Sequence, residues 1–318
     1  MSTAWVVGLI AGVTGLAGSM PPAIRDTIFV TGNERVFGVT TPTGIATPVD
    51  GGYRVSGQWG YASGCLHADW GVLGVRFAEG SEGTPKAAFI FFPLDAEGVS
   101  IIDTWYVAGV QGSGSNTVRL DDVFIPAHMI FDPTDEARND WLGADLIEPR
   151  DRWIDEVLVP LGVIGPSIGA VEAMADIVTA NINRKNVTHW KYPMQSDSEV
   201  LLEQLGLARM EVEAAWLHLG RAAAINDVVA QERAVTGHEK ARAQADCGYA
   251  TILMRSAADR LMDIAGSSAF ASASPLQRFW RDVSVGTRHA FLNAHASLEL
   301  YGRIHAGKES NNIQFNYA

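Results

Sequence analysis

Basic charge is the first thing this sequence lacks. It carries 24 Lys and Arg against 36 Asp and Glu, giving a formal net charge of −12 and a pI near 5.1. Such a chain has no cationic stripe for a phosphate backbone or an anionic membrane surface, so nucleic acid and membrane are not expected partners. Cysteine is scarce as well. Cys65 and Cys247 stand far apart with no CxxC or Cys/His spacing, which argues against a disulfide framework or structural zinc and fits a reducing cytoplasm. The eight histidines form no HxH or HxxxH pair, so no metal site is expected. Long apolar runs are missing too. The most apolar stretch, Trp5 to Met20, falls short of the ~20 residues that cross a bilayer. It contains four glycines and follows no basic residue, and it reads as a buried helix rather than a signal peptide.

Several familiar motifs are absent on inspection. Gly8, Gly12 and Gly15 do not give GxGxxG and follow no strand, so a nicotinamide cofactor has no support. Gly302 to Glu309 approaches a P-loop, but Glu309 stands where a Ser or Thr must reach magnesium, and no helix follows to hold phosphate. Gly112 to Asn116 lacks the register of a nucleophile elbow.

What is present falls into two regimes. From Arg35 to Pro126 the chain is rich in glycine, threonine, valine and aromatics, with short apolar runs between turn signals. Strands are predicted at Tyr53 to Trp59, Trp70 to Phe77, Lys86 to Pro93 and Thr117 to Pro126, closing as a small barrel or sandwich. After Pro149, apolar residues recur every three or four positions in alanine- and leucine-rich sequence, the pattern of amphipathic helices. Long helices are predicted at Arg150 to Asn183, Ser196 to Thr236, Gly237 to Ala265 and Pro275 to His305. Strands first and helices afterwards give an α+β multidomain fold: a β-barrel or sandwich domain over residues 30–131, a linker at 132–149 and an antiparallel helix bundle over 150–318.

The segment from Gly52 to Trp70, the turn Val110 to Val118, the strand Asp121 to Pro126, and the helix motifs Asp263 to Ala269 and Leu276 to Asp282 occur in a recognisable order. In that order they resemble the two-component flavin-dependent monooxygenases built on the acyl-CoA dehydrogenase fold. The resemblance spans nearly the whole chain. It implies a first domain of which residues 1–29 are a remnant. It also implies a flavin-facing β domain, an oxygenase component fed with reduced FMN (FMNH2) or FAD by a separate flavin reductase, and a homotetramer arranged as a dimer of dimers. The implied reaction is hydroxylation of a small aromatic or polycyclic substrate by O2 through a C4a-hydroperoxide, and the substrate itself stays open.

In one branch of the dehydrogenases that share this fold, the base is a glutamate nine positions after the arginine of the Arg-Asp motif. Here that position is Ala290, which cannot take a proton. His289 instead matches the histidine that the monooxygenases place beside the flavin. Near an ordinary pKa of ~6.5 it could accept a proton from a phenol or hydrogen-bond a peroxide oxygen. Without the resemblance it reads as a packed histidine on a helix. Ser63 matches a serine that hydrogen-bonds the flavin or its oxygen adduct, and otherwise reads as a turn residue beside Gly64. Tyr61, Ser63 and Gly64 are the expected cofactor contacts in the β domain. Arg184 matches the arginine that reaches the flavin tail, while Gly266, Ser267 and Ser268 are candidate phosphate donors or a simple helix stop. Arg281 and Asp282 could form a structural ion pair. Two rival readings are an acyl-CoA dehydrogenase with a displaced base, for which Glu299 is nearest, and a flavin-free binding or scaffold subunit.

Overall fold

The computed structural model describes residues 1–78, 87–132, 149–312 and 317. It divides into two compact units, one of Thr3–Tyr106 with Gln111–Ile147, the other of Glu148–Ala318 with Met1–Ser2 and the short segment Val107–Val110. Apart from its ends, the expected linker at 132–149 lies outside the described residues.

The β unit begins with helices α1 (Ser2–Gly18) and α2 (Pro22–Ile28) and continues with strands β1 (Val36–Val49), β2 (Gly52–Trp59), β3 (Trp70–Phe77), β4 (Ala87–Pro93), β5 (Val99–Ile102), β6 (Thr117–Pro126) and β7 (Ile130–Phe131). Hydrogen bonding joins all seven in one sheet of order β5-β6-β2-β1-β3-β4-β7. Neighbours are antiparallel except β1 and β3, which run parallel. Alternation drives the pattern: Val118, Leu120, Val123 and Ile125 of β6 turn inward while Arg119, Asp121, Asp122 and Phe124 between them face out. The inward residues meet Phe37, Leu73, Ile90, Phe91 and Phe92, the inner residues Ala17 of α1 and Ile24 and Ile28 of α2, and Met20 from the turn between those helices in one buried cluster.

Trp59 organises the middle of this sheet. The pairing of β1 with β3 slips between Val39 and Gly44, and that of β2 with β6 slips between Val55 and Gly57. At these irregularities Gly44 and Gly57 lie flat against the Trp59 ring, so that a Cβ on Gly44 would fall 2.1 Å from Cζ2 and one on Gly57 2.8 Å from Cη2. The indole Nε1 donates to the Gly74 carbonyl at 2.8 Å, so the buried donor is satisfied.

Helix α1 departs from the buried helix expected of its composition. Only Trp5, Val6 and Ala17 are buried, and Val7 is 61% exposed. The helix is apolar on all sides, so one packed face cannot cover every apolar residue it carries.

The helical unit holds α3 (Asp155–Asn181), α4 (Glu199–Ala224), α5 (Gly237–Ala265), α6 (Pro275–Gly286) and α7 (Ala294–His305). Helix α5 is its core, with Ala241, Ala245, Ala250, Ala257 and Ala258 among the buried residues that allow neighbouring helices to approach. It starts at a capping box in which Thr236 accepts from the Glu239 N–H and Glu239 accepts from the Thr236 N–H. Hydrogen bonds from Arg233 and Thr236 hold the Glu239 carboxyl down at about 2. The helix expected to reach Thr236 continues past α4 through a wide π turn, Ile225–Val229, to Glu232.

The single helix expected over Pro275 to His305 is in fact two. Gly286 ends α6, and Asn293, whose Oδ1 accepts from the Ala296 N–H at 3.2 Å, caps the start of α7. The stop and start signals outweigh the continuous apolar spacing.

Candidate active site

In the β unit the chain leaves β2 through a tight turn. Tyr61 takes φ +60°, an uncommon conformation for a residue with a side chain, and its exposed ring stands edge-on to Trp105 at 5.5 Å. The Ala62 N–H donates to the Asn116 carbonyl, and the Asn116 Oδ1 accepts from the N–H groups of Thr104 and Trp105, both at 3.0 Å. One buried asparagine therefore ties the loop after β2 to the loop that carries Trp105. Gly64, at φ +87°, passes so close to α1 that a Cβ would meet Ile10 at 2.7 Å.

Ser63 lies inside this frame. Its Oγ accepts from Trp5 Nε1 at 3.4 Å and sits 2.6 Å from Ser115 Oγ, which in turn is 2.7 Å from Ser113 Oγ. Ser113 and Ser115 are buried. The neighbouring Cys65 thiol is pushed up to about 11 by burial and stays protonated at neutral pH.

In the helical unit His289 sits in the break between α6 and α7 rather than within a helix. It caps the short turn Ala290–Leu292, its Nδ1 accepting from the Phe291 N–H at 3.3 Å. Burial lowers its pKa to about 4. With Nδ1 used as an acceptor, the neutral ring carries its proton on Nε2. Burial thus disfavours the imidazolium form of His289, and a neutral ring with Nδ1 engaged in this way presents its Nε2–H as a donor.

Arg184 follows α3 and is exposed. Its neighbour Lys185 donates from Nζ to the Ala265 carbonyl and to Ser268 Oγ at 2.8 Å, at the point where α5 ends on Gly266 with φ +73°. Buried Gln195 donates to the Ile264 carbonyl, so two side chains close the end of α5. Gly266, Ser267 and Ser268 thus form a helix stop with two exposed hydroxyls beside an ammonium group, with Arg184 next in the chain. Cations and hydroxyls of this kind suit a phosphate.

Arg281 and Asp282 do not pair with each other. Arg281 donates from Nη1 to the Ala108 carbonyl at 2.6 Å and from Nε to Gln277 Oε1 at 2.8 Å, while the buried Asp282 Oδ1 accepts from the Val110 N–H at 2.6 Å. Val110 is held at φ +54°, a strained position for a β-branched residue. Asp282→Ala should therefore lower stability by about 2 to 3 kcal/mol in chemical denaturation, because a charge-assisted hydrogen bond that holds a buried, strained segment is lost. A loss under ~0.5 kcal/mol would show that the segment does not depend on it. Glu299 is exposed and faces Arg303 at 3.6 Å, an ordinary surface pair of one helix.

Sequence reasoning missed Trp5, Ser113, Ser115, Asn116 and Lys185. The two serines were legible in part, since hydroxyls two residues apart in a glycine-rich turn can share a side. Trp5 was not, because its link to Ser63 spans 58 residues.

Residues 161–294 match the family model described as acyl-CoA dehydrogenase, C-terminal domain. The oxygenase subunit HsaA of a flavin-dependent monooxygenase from Rhodococcus jostii is 31% identical over 95% of this chain and 79% of that protein. The oxygenase component of an FADH(2)-dependent resorcinol hydroxylase from a Rhizobium species is 28% identical over 97% and 78%. Among solved structures, XiaF from a Streptomyces species, in complex with FADH2 and glycerol, superposes with a TM-score of 0.91 at 30% identity, over 99% of this chain and 79% of that one.

Proposed function

The chain belongs to the flavin-dependent monooxygenases of the acyl-CoA dehydrogenase fold, and from that premise we propose how its own residues serve hydroxylation of a small aromatic or polycyclic substrate. It is an oxidoreductase that uses reduced flavin. The observation that carries the oxygenase reading is at positions 289 and 290, where a neutral imidazole donor and an alanine stand in place of a carboxylate base. Removing a proton next to a thioester needs a base, whereas steadying an oxygen atom needs a donor, and His289 is the second.

Bound reduced flavin supplies the two electrons with which dioxygen delivers one oxygen atom to the substrate and the other to water. Ser63, with Tyr61 and Gly64, holds the flavin from the β unit, its hydroxyl able to give or take a hydrogen bond. His289 Nε2–H donates to the oxygen being transferred or to the substrate hydroxyl. Arg184 and the Gly266–Ser268 turn hold the flavin phosphate, which suits FMN and FAD alike. A separate flavin reductase supplies the cofactor, as the "oxygenase component" in the relatives' names suggests of those systems. The assembly is a homotetramer. Val200, Leu207, Met210 and Leu217 support it, forming an exposed apolar stripe along α4. A cytoplasmic setting suits the two buried free thiols.

The test is to mix the protein, loaded anaerobically with photoreduced FMN or FAD, with oxygen and to measure hydrogen peroxide release. The protein should slow release at least ~10-fold relative to free flavin, a barrier difference of about 1.4 kcal/mol. Ser63→Ala and His289→Ala should each return part of that rate. Release as fast as from free flavin in the wild type would overturn the oxygenase reading.

A further inference from the structure

The serines behind Ser63 have no part in the reaction as described so far, yet they are buried and closely spaced. Trp5 Nε1, Ser63 Oγ, Ser115 Oγ and Ser113 Oγ follow one another at 3.4, 2.6 and 2.7 Å. The indole can only donate, so one acceptor site of Ser63 is always taken. In each of the two hydroxyl contacts, either oxygen can be the donor.

The row therefore has two arrangements in which each contact along it keeps one donor and one acceptor. In one, Ser113 donates to Ser115 and Ser115 to Ser63, leaving the Ser63 proton to point outward. In the other, Ser63 donates inward to Ser115 and Ser115 to Ser113, leaving Ser63 to accept from outside. Each hydroxyl keeps its own proton and only rotates, so passing between them consumes no proton and no electron. The two arrangements answer a requirement of flavin chemistry: a ring nitrogen that carries hydrogen in the reduced cofactor presents a lone pair in the oxidised one. A lone serine could donate outward without help. Accepting is different, because its own proton then needs a buried partner, and an unpaired buried hydroxyl is costly.

We propose that Ser115, backed by Ser113, is a positioning residue that lets Ser63 accept a hydrogen bond from reduced flavin and donate one to oxidised flavin. The inference rests on the flavin-dependent reading above. Its consequence is selective: Ser115 supports the reduced state more than the oxidised one.

The experiment is to titrate wild type, Ser115→Ala, Ser113→Ala, Ser63→Ala and Ser63→Ala/Ser115→Ala with FMN and FAD, oxidised in air and reduced anaerobically, with urea denaturation of each to confirm folding. Ser115→Ala should weaken binding of reduced flavin roughly 3- to 10-fold, about the worth of one hydrogen bond, and leave oxidised flavin within about 2-fold. The midpoint potential of the bound flavin should then move negative by up to about 30 mV, since tenfold corresponds to about 30 mV for a two-electron couple. Ser113→Ala should move the same way, and keeps the idea testable if Ser115→Ala folds poorly. In the Ser63→Ala background the Ser115 change should add nothing, because its effect passes through Ser63. Equal weakening of both redox states, additive effects in the double variant, or no effect would overturn the proposal and leave the serines as packing. A wild type that binds neither flavin would instead remove the flavin reading beneath it, an outcome separable from the others.

Discussion

Trp59→Ala is expected to destabilise the β unit by about 4 to 5 kcal/mol, near the top of the range for a buried tryptophan. The ring is 1% exposed and lies in a slot built for it, with Gly44 and Gly57 against its faces and the Gly74 carbonyl on its nitrogen. Removing it leaves a cavity between two strand irregularities and a carbonyl without its donor, and strands bent around the ring cannot collapse into the space without losing register. Trp59→Phe should cost less, because the ring is partly replaced while the hydrogen bond is still lost. Gly44→Ala approaches the same failure from the other side, since its methyl would overlap the ring in a core with no room to shift. Hydrogen exchange of the amides in β1, β2 and β6 is the suitable measurement, because a chain of two compact units need not unfold in one step. Protection retained in those strands after Trp59→Ala would show that the tryptophan only fills space.

Local signals placed much of this fold. The spans of β2 and β6 follow from alternation bounded by turns, that of β3 from a short apolar run between turn signals, and α5 from its Thr236 start and Gly266 stop. What local reasoning did not place depends on distant partners. Strand β1 runs for 14 residues through Pro42 and Pro48, which read as strand breakers. Pro42 is tolerated because it falls in the irregular stretch between Val39 and Gly44, and the strand is fixed by the parallel partner β3, which no local pattern announces. The break between α6 and α7 was legible in Gly286 and Asn293, but apolar spacing that continued across it was given more weight. At the site, residue types pointed to Ser63 and His289 only through family likeness. The hydrogen-bonded row behind Ser63 and the burial around His289 arise from packing. Arg281 and Asp282 look like a pair because they are adjacent and opposite in charge, yet each is taken by the backbone of Ala108 or Val110, more than 170 residues away.

His289 should also leave a mark on stability as a function of pH. Burial lowers its pKa to about 4, against about 6.5 for an unfolded histidine, so between those values the unfolded chain holds more protons than the folded one. The folded state is then favoured fully above pH 6.5 and loses stability as pH falls toward 4, by roughly 3 kcal/mol if the whole difference is expressed. His289→Asn is the informative substitution. Its Oδ1 can still accept from the Phe291 N–H and cap the turn, but it does not titrate. Urea denaturation from pH 7.5 to 4.5 should show a smaller loss of stability on acidification in the variant than in the wild type. Parallel curves would mean that the imidazole is not held neutral by burial. The same neutrality bears on catalysis: a group already uncharged from pH 5 to 8 cannot gate turnover by losing a proton near 6.5. The rate profile should therefore lack an acid limb from His289 in that range, although the variant, having no Nε2–H to give, loses hydroxylation. A wild-type limb near 6.5 that vanishes in His289→Asn would restore the histidine as a base and displace the donor role argued from its geometry.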